Sequence, residues 1–148
     1  MLSKIKAIKK PIVYIVDSDH KLLCSLSKKL VQHEVTVEVF SSAEDFLNTR
    51  LRSRAACLII EVNLPNMGGI ELLEHINNLG VRLPTIILSS GSNISNAVRA
   101  MQAEAIDFIE KPFIENTLIE KVLGVSNKKL QCEKCLQYKT IDEYDIYK

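Results

Sequence analysis

Pro11-Ile-Val-Tyr-Ile-Val16 is a nearly continuous apolar run close to the beginning of the chain. A run of this kind predicts a β-strand that is covered on both faces, as in a parallel sheet. The residues that follow predict an amphipathic helix with Ser18 as its N-cap. Its apolar stripe consists of Leu23, Leu26 and Leu30. A buried strand followed at once by such a helix is the repeating unit of an α/β fold.

The same alternation continues along the chain. Apolar or β-branched runs predict four further strands, at residues 35–40, 57–60, 84–88 and 105–109. The capping-box spacing of Ser41 and Glu44 predicts the start of a second helix. Apolar spacing or position between strands predicts three more helices, at residues 70–76, 96–104 and 116–123. Five strand–helix repeats in about 115 residues predict a mostly parallel, doubly wound sheet with helices on both faces.

Composition and charge limit the classes of protein to which this chain can belong. It has 148 residues, of which 47% are apolar, enough to build the core of one compact domain. Lys and Arg number 19 against 18 Asp and Glu, which gives no general reason to expect nucleic acid or membrane as a direct partner. No apolar run approaches the roughly 20 residues that cross a bilayer, and no signal peptide is recognisable. We expect a cytoplasmic protein.

The chain is predicted to divide into three parts. Residues 1–10 form a basic leader, which we expect to be a solvated end rather than a phosphate-binding arm. Residues 11–124 form the globular domain. After Gly124 the composition turns polar, so residues 125–148 are predicted to be a linker or a C-terminal appendage outside the core.

The four cysteines do not resemble a secreted disulfide framework. Cys24 and Cys57 lie in apolar-periodic segments and are predicted to pack as small core residues, as in a reducing cytoplasm. Cys132 and Cys135 have the spacing of half a zinc knuckle, but no second cysteine pair follows them. We expect this tail motif to hold no metal of its own, and a zinc site shared between two chains is the alternative.

Polar side chains stand at the end of four predicted strands. Asp17 ends the first strand, Glu61 the third and Ser89 the fourth, and Lys111 follows the fifth. Taken singly, each residue has an ordinary structural explanation. Asp17 could cap a helix and Glu61 could be a loop acid. Ser89 could be a turn residue and Lys111 a solvated surface charge. Ligands of open α/β sheets bind beyond the carboxyl ends of the strands, so four such residues at four strand ends predict one pocket. Its acids could hold a hard cation, and its hydroxyl and ammonium could hold an anion.

At this point the chain resembles a receiver domain of two-component signalling, from about Ile12 to Val122. The matching segments are Ile15-Val-Asp-Ser-Asp19, Leu58-Ile-Ile-Glu-Val-Asn-Leu-Pro-Asn-Met-Gly-Gly69, Ile86-Ile-Leu-Ser89 and Ala105-Ile-Asp-Phe-Ile-Glu-Lys-Pro-Phe113. The last of these, with Ser41-Ser-Ala-Glu-Asp-Phe46, is similar to receivers of the nitrogen-fixation and nitrate regulator type. The resemblance implies a flavodoxin-like (βα)5 fold with the strand order 2-1-3-4-5.

The resemblance also implies a role for each residue of the pocket. Receivers accept a phosphoryl group from a histidine kinase on an aspartate at the end of strand three, with the assistance of Mg²⁺. By this similarity Asp17 is the first acid of strand one, and Asn63 is the position whose backbone carbonyl binds the metal. Ser89 is the switch hydroxyl, Phe108 the switch aromatic and Lys111 the phosphate-binding lysine.

Two positions depart from the family pattern. Glu61 stands at the phosphoacceptor position, and Ser18 stands where the second acid of strand one is usual. Phosphoryl transfer depends on positioning and on charge neutralisation by the metal, so we expect normal phosphorylation to be lost. Mg²⁺ is expected to bind weakly at most and not to be required. We expect Glu61 to pair with Lys111 as a partial substitute for phosphate, which would hold Ser89 close and let Phe108 turn toward the core.

The favoured function is therefore that of a signalling and interaction module without catalytic activity. We expect a homodimer built from helices one, four and five, and a histidine kinase or a separate output protein as further partners. A receiver that is still weakly phosphorylated is the first alternative. A small flavodoxin-like enzyme or nucleotide binder is the second, although the chain has no P-loop, no dinucleotide-binding glycine motif and no nucleophile elbow. No DNA-binding domain is recognisable, so direct contact with nucleic acid is not expected.

Overall fold

The structure is a computed structural model that describes residues 10–91 and 93–136. Its centre is a five-stranded sheet in the order β2-β1-β3-β4-β5, with every neighbouring pair parallel. The strands are β1 (Ile12–Val16), β2 (Thr36–Phe40), β3 (Ala55–Glu61), β4 (Thr85–Ser89) and β5 (Asp107–Glu110). The predicted fold class and strand order are thus confirmed.

Within residues 10–91 and 93–136, five helices connect and follow the strands. They are α1 (His20–Val31), α2 (Ala43–Leu47), α3 (Gly69–Asn78), α4 (Ile94–Gln102) and α5 (Glu115–Leu136). The helices α2, α3 and α4 contribute to a core on one face of the sheet, and α1 and α5 contribute to a core on the other face. None of the helices in the described part of the chain is long and apolar enough to cross a membrane.

Strand β1 shows how the sequence supplies both cores. All five of its residues are buried. Because successive side chains of a strand point to opposite faces, Tyr14 packs in the core with α2 and α3, whereas Val13 and Ile15 pack in the core with α1 and α5. The apolar run at residues 11–16 is therefore continuous because helices cover both faces of β1.

The N-cap of α1 is Asp19 and not the predicted Ser18. The Asp19 carboxylate accepts hydrogen bonds from the backbone amides of Lys21 at 3.1 Å and Leu22 at 3.2 Å. Ser18 lies one residue too early to reach the first free amides of a helix that begins at His20.

The prediction for the two cysteines of the domain is half correct. Cys57 is buried in β3, but Cys24 is exposed. The buried stripe of α1 contains Leu23, Leu26 and Leu30, and Cys24 follows Leu23 by one residue. Adjacent residues of a helix point about 100° apart, so Cys24 faces solvent although its neighbour is in the core.

Helix α5 extends further than predicted. Its end was predicted at Leu123, but the helix passes through Gly124 without a break and ends at Leu136. The predicted end was wrong because a loss of apolar periodicity marks the end of a buried face, not necessarily the end of a helix. The division of the chain at residue 124 stays a prediction, and so does the role of Cys132 and Cys135, which lie within this helix. Residues 1–9 of the basic leader and residues 137–148 of the appendage lie outside the described residues.

Candidate functional site

The carboxyl ends of β1 and β3 bring two acids together beneath one lysine. Lys111, which follows β5, places its Nζ 2.8 Å from Oδ2 of Asp17 and 2.7 Å from Oε1 of Glu61. Asp17 is 1% exposed and Glu61 is 3% exposed. The predicted pairing of Glu61 with Lys111 is therefore present, and Asp17 shares the same ammonium.

The remaining two carboxylate oxygens are engaged by the main chain. Oδ1 of Asp17 accepts a hydrogen bond from the backbone amide of Asp19 at 2.9 Å. Oε2 of Glu61 accepts one from the backbone amide of Asn63 at 2.7 Å. All four oxygens of the two buried acids thus have a partner, as buried charged groups require.

The charge of Lys111 is favoured by this environment. Burial opposes the charged ammonium and acts to lower the pKa of Lys111, but the hydrogen bonds and charges of Asp17 and Glu61 outweigh it. The pKa of Lys111 is consequently raised above its ordinary value. The stability that this pairing contributes is present below the ordinary lysine pKa and is lost as the pH rises through the raised value.

Ser89 is buried at the end of β4, but its hydroxyl faces its own turn. Its Oγ donates to the carbonyl oxygen of Gly91 at 2.7 Å and accepts from the amide of Gly91 at 3.3 Å. The expected contact with Glu61 is replaced by these two bonds, because a serine hydroxyl can close a local turn at little cost in entropy. Phe108 is half-buried and packs against the core on the α2–α4 face.

A hydrogen bond joins the two loops that border the pocket. Nδ2 of Asn63, in the loop after β3, donates to Oγ of Ser90, in the loop after β4, at 3.0 Å. Beside these loops lies a cavity of about 420 Å³ that reaches Lys111, lined by Asp19, Leu22, Ser90, Lys111, Pro112, Phe113 and Glu115. The lysine is thus accessible from one side, and its side chain is 18% exposed.

Gly69 controls how closely α3 approaches β3. A Cβ atom on this residue would lie 2.1 Å from the carbonyl oxygen of Glu61 and 2.7 Å from Cγ2 of Ile60. The amide of Gly69 donates to the carbonyl oxygen of Val62 at 3.0 Å. Only a residue without a side chain lets the helix start against the main chain of Glu61.

Residues 13–123 match the family described as the response regulator receiver domain. The chain belongs to this family. Among curated proteins, this receiver domain is similar to the response regulator protein TodT of Pseudomonas putida, with 40% identity over 108 residues. It is also similar to the transcriptional regulatory protein FixJ of Rhizobium meliloti, with 34% identity over 121 residues. These matches cover 73% and 82% of this chain.

Solved receiver structures agree with this assignment. A response regulator receiver protein from Pseudoalteromonas atlantica is 45% identical, with a TM-score of 0.76 over 80% of this chain and 98% of its own. The structure described as FixJ-N is 32% identical, with a TM-score of 0.69 over 81% of this chain and 96% of its own. The receiver spans only about half the length of the curated relatives, 48% of TodT and 59% of FixJ.

The pocket of this receiver does not fit the magnesium ion that the family resemblance implies. Mg²⁺ requires oxygen ligands in a near-octahedral arrangement. Among the described residues, Asp17 and Glu61 supply the buried carboxylates of the pocket, and every one of their oxygens is already engaged. Asp19, which lines the cavity beside Lys111, is engaged as the N-cap of α1. Ser18, which stands where the second acid of strand one is usual in the family, is neutral and exposed. Within the described residues, no group of three His, Cys, Asp or Glu side chains could hold a metal ion.

Several residues of the site were not singled out from the sequence. The alternation of strands and helices places Ser90 and Gly91 only in the loop after β4, and Gly69 only between β3 and α3. The sequence gives no signal for the hydrogen bond between Asn63 and Ser90, because this bond joins residues that are 27 positions apart. A glycine directly before an apolar helical pattern is the signal that could have drawn attention to Gly69.

Proposed function

We propose that this receiver acts in two-component signal transduction without being phosphorylated, by protein–protein interaction as a homodimer. The observation that carries the proposal is the ion pair of Glu61 with Lys111, 2.7 Å in length. It joins the position of the phosphoacceptor to the lysine that binds the phosphate in the family. A histidine kinase or a separate output protein is the further partner, and no catalytic activity is assigned to the chain.

The contacts of Glu61 oppose phosphorylation in two ways. An oxygen that attacks a phosphoryl group must be free and in line with the leaving group. Both oxygens of Glu61 are held, one by Lys111 and one by the amide of Asn63. In addition, the third acid that would help to neutralise the developing charge is replaced by Ser18.

Glu61 is proposed to act as a partial substitute for an aspartyl phosphate. A carboxylate carries one negative charge, whereas a phosphoryl group carries nearly two. Shifting a two-state switch from mostly off to mostly on requires several kcal/mol of differential interaction, and one partly solvated ion pair supplies less. The packing of Phe108 against the core therefore has to contribute the remainder.

The proposal of self-association is supported by an exposed apolar stripe on α4. Ile94 is 83% exposed, Val98 49% and Met101 50%, and these residues recur at the spacing of one helical face. Ile106, in the turn before β5, is also exposed. Contiguous exposed apolar groups commonly mark interaction sites, and a two-fold axis beside α4 would cover this stripe with its own copy.

A weakly phosphorylated receiver is the second candidate. The observation that favours it is the cavity of about 420 Å³ beside Lys111, which would admit a small phosphodonor. Ser89 and Lys111 are also retained at their family positions. In this case a minor state, with Glu61 released from Lys111, would be the reactive one.

Labelling with acetyl phosphate in the presence of Mg²⁺, followed by intact-protein mass spectrometry, separates the two candidates. We expect no phosphorylated species for the natural chain or for Glu61→Gln. The double variant Glu61→Asp with Ser18→Asp restores the family acids and is expected to be labelled. Labelling of the natural chain that Glu61→Gln abolishes would establish the second candidate instead.

Sedimentation velocity at high micromolar concentration tests the dimer. We expect the natural chain to sediment as a dimer, and Glu61→Gln to weaken its association. Glu34→Gln is the matched control, because Glu34 is an exposed acid in the turn between α1 and β2, away from the α4 stripe. The double variant with restored acids should associate in response to phosphodonor. A natural chain that is only monomeric would refute the homodimer, and unchanged association of Glu61→Gln would make Glu61 a decayed site.

A further inference from the structure

Lys111 faces two carboxylates from two different strands. Its ammonium lies 2.8 Å from Asp17 and 2.7 Å from Glu61, and these are the two acids that would otherwise be free to bind a metal ion. We propose that the ammonium of Lys111 occupies this pocket as its cation and thereby excludes divalent cations. Asp17 is the second carboxylate, after Glu61, that holds the ammonium in place. This role of Lys111 deepens the proposed function and rests on it, since a pocket that needs no phosphoryl group also needs no Mg²⁺.

The charge balance of the pocket supports the exclusion of a divalent ion. Two buried carboxylates and one ammonium leave a net charge of minus one. A divalent ion added to this cluster would reverse its sign within a largely buried site, which is costly. A third acid at position 18, or the loss of Lys111, would each bring the net charge to minus two. A divalent ion would then neutralise the pocket.

The position of Lys111 is fixed at both ends of the residue. Its backbone amide donates to the carbonyl oxygen of Ser89 at 2.7 Å, so the main chain is tied to the end of β4. Its ammonium is tied to the ends of β1 and β3 by Asp17 and Glu61. A metal ion that entered would have to displace an ammonium held by two short contacts and would also have to be partly dehydrated.

The acids, in turn, are oriented for this lysine. The backbone amides of Asp19 and Asn63 hold the outer oxygens of Asp17 and Glu61 and leave one oxygen of each for the ammonium. Two amide donors and one ammonium therefore account for every oxygen of the pair. Asp17 acts here as a positioning residue, because it fixes the ammonium that faces Glu61.

The test measures metal binding and metal-dependent stability of the full chain. Mn²⁺ binding is followed by electron paramagnetic resonance, and thermal unfolding is compared in EDTA and in millimolar Mg²⁺. We expect the natural chain to bind no Mn²⁺ at submillimolar concentration and to unfold at the same temperature in both buffers. Lys111→Gln should be less stable in EDTA and should regain roughly 3–6 °C with Mg²⁺, because the ion replaces the lost ammonium.

Two further variants complete the comparison. Ser18→Asp keeps Lys111 and should bind Mn²⁺ more tightly than the natural chain, on the order of tenfold or more. Arg99→Gln is the control, because Arg99 forms an ion pair with Glu74 between α4 and α3, outside the pocket. Its stability should not respond to Mg²⁺. If Lys111→Gln does not fold in EDTA, Ser18→Asp still tests the charge balance.

Submillimolar Mn²⁺ binding by the natural chain would overturn the proposal. So would Lys111→Gln and Ser18→Asp variants that fold and yet bind no Mn²⁺. The proposed function fails differently, since it is refuted by phosphodonor labelling of the natural chain. A chain that excludes Mn²⁺ and is nevertheless labelled would refute only the proposed function. A chain that binds Mn²⁺ and is not labelled would refute only the role of Lys111.

Discussion

Glu61 accepts a hydrogen bond from the backbone amide of Asn63 at 2.7 Å, two residues further along the chain. The carboxylate that pairs with Lys111 is thereby also tied to the loop that follows β3. The side chain of Asn63 continues the connection to Ser90 at 3.0 Å. Glu61 is therefore connected both to Lys111 and to the two loops around the pocket.

Removal of Lys111 should destabilise the domain more than removal of the charge of Glu61. In Glu61→Gln the ammonium keeps Asp17, so we expect a loss of about 1–2 kcal/mol in the free energy of unfolding. In Lys111→Met two buried carboxylates lose their cation, and we expect about 3–5 kcal/mol. Urea denaturation at neutral pH measures both values.

Glu74→Gln provides the control for this comparison. Glu74 pairs with Arg99 at 2.8 Å, but both side chains are more than 40% exposed, so its loss should cost less than about 1 kcal/mol. An equal cost for Glu61→Gln and Lys111→Met would show that Asp17 does not share the lysine.

The convergence of Asp17, Glu61 and Lys111 could be predicted from the sequence because it follows from topology. In a parallel sheet the strand ends share one edge, so residues that end different strands meet without any knowledge of side-chain packing. The partner of Ser89 could not be predicted in this way. Whether its hydroxyl bonds with Glu61 or with Gly91 depends on the conformation of one turn, which the strand pattern does not specify.

The cap of α1 and the end of α5 illustrate the same limit. Ser18 and Asp19 are both good N-cap residues, and the choice depends on where the first helical residue lies, which periodicity locates only to within one or two positions. The polar part of α5 lacks the apolar stripe by which helices are recognised. Its continuation to Leu136 therefore gave no signal in the sequence.

Glu115 should stabilise the domain in a pH-dependent manner. It accepts a hydrogen bond from Ser25 at 2.7 Å and pairs with Lys29 at 2.9 Å, so it joins α5 to α1. The contact with Lys29, together with that of Ser25, lowers the pKa of Glu115 below its ordinary value. Because the folded pKa is lowered, the contribution is present above the ordinary glutamate pKa and is lost as the pH falls through the lowered value.

We therefore expect Glu115→Gln to lower the free energy of unfolding by about 0.5–1 kcal/mol at neutral pH, since Lys29 is half-exposed and its charge is screened. The difference from the natural chain should shrink toward zero in acid. Urea titrations at several pH values measure it, with the exposed Glu120→Gln in the same helix as the control. A difference that stays constant down to the acid limit would mean that packing, not charge, is responsible.

The two cysteines of the domain should differ strongly in reactivity. Burial raises the pKa of Cys57 to about 12, so its thiol is protonated at neutral pH and also inaccessible. Cys24 is exposed on α1. With iodoacetamide and peptide mapping, we expect rapid modification of Cys24, whereas Cys57 should react only when urea unfolds the domain. Equal rates for both residues in the native protein would contradict the burial of β3.

Gly69→Ala should be strongly destabilising although it adds a single methyl group. The new Cβ would lie 2.1 Å from the carbonyl oxygen of Glu61, a backbone atom that cannot move without shifting the end of β3. We expect a loss of about 1–3 kcal/mol in the free energy of unfolding, as for other overpacked sites.

Gly124→Ala is the matched control for this substitution. A Cβ atom at Gly124 meets nothing within 4 Å, and the residue lies in the interior of α5. Alanine is the better helix former by about 1 kcal/mol, so this variant should be slightly more stable than the natural chain. If the close approach of α3 to β3 causes the destabilisation, urea denaturation should show a lower free energy of unfolding for Gly69→Ala and a higher one for Gly124→Ala. A Gly69→Ala variant as stable as the natural chain would show that α3 can retreat from Glu61 without cost.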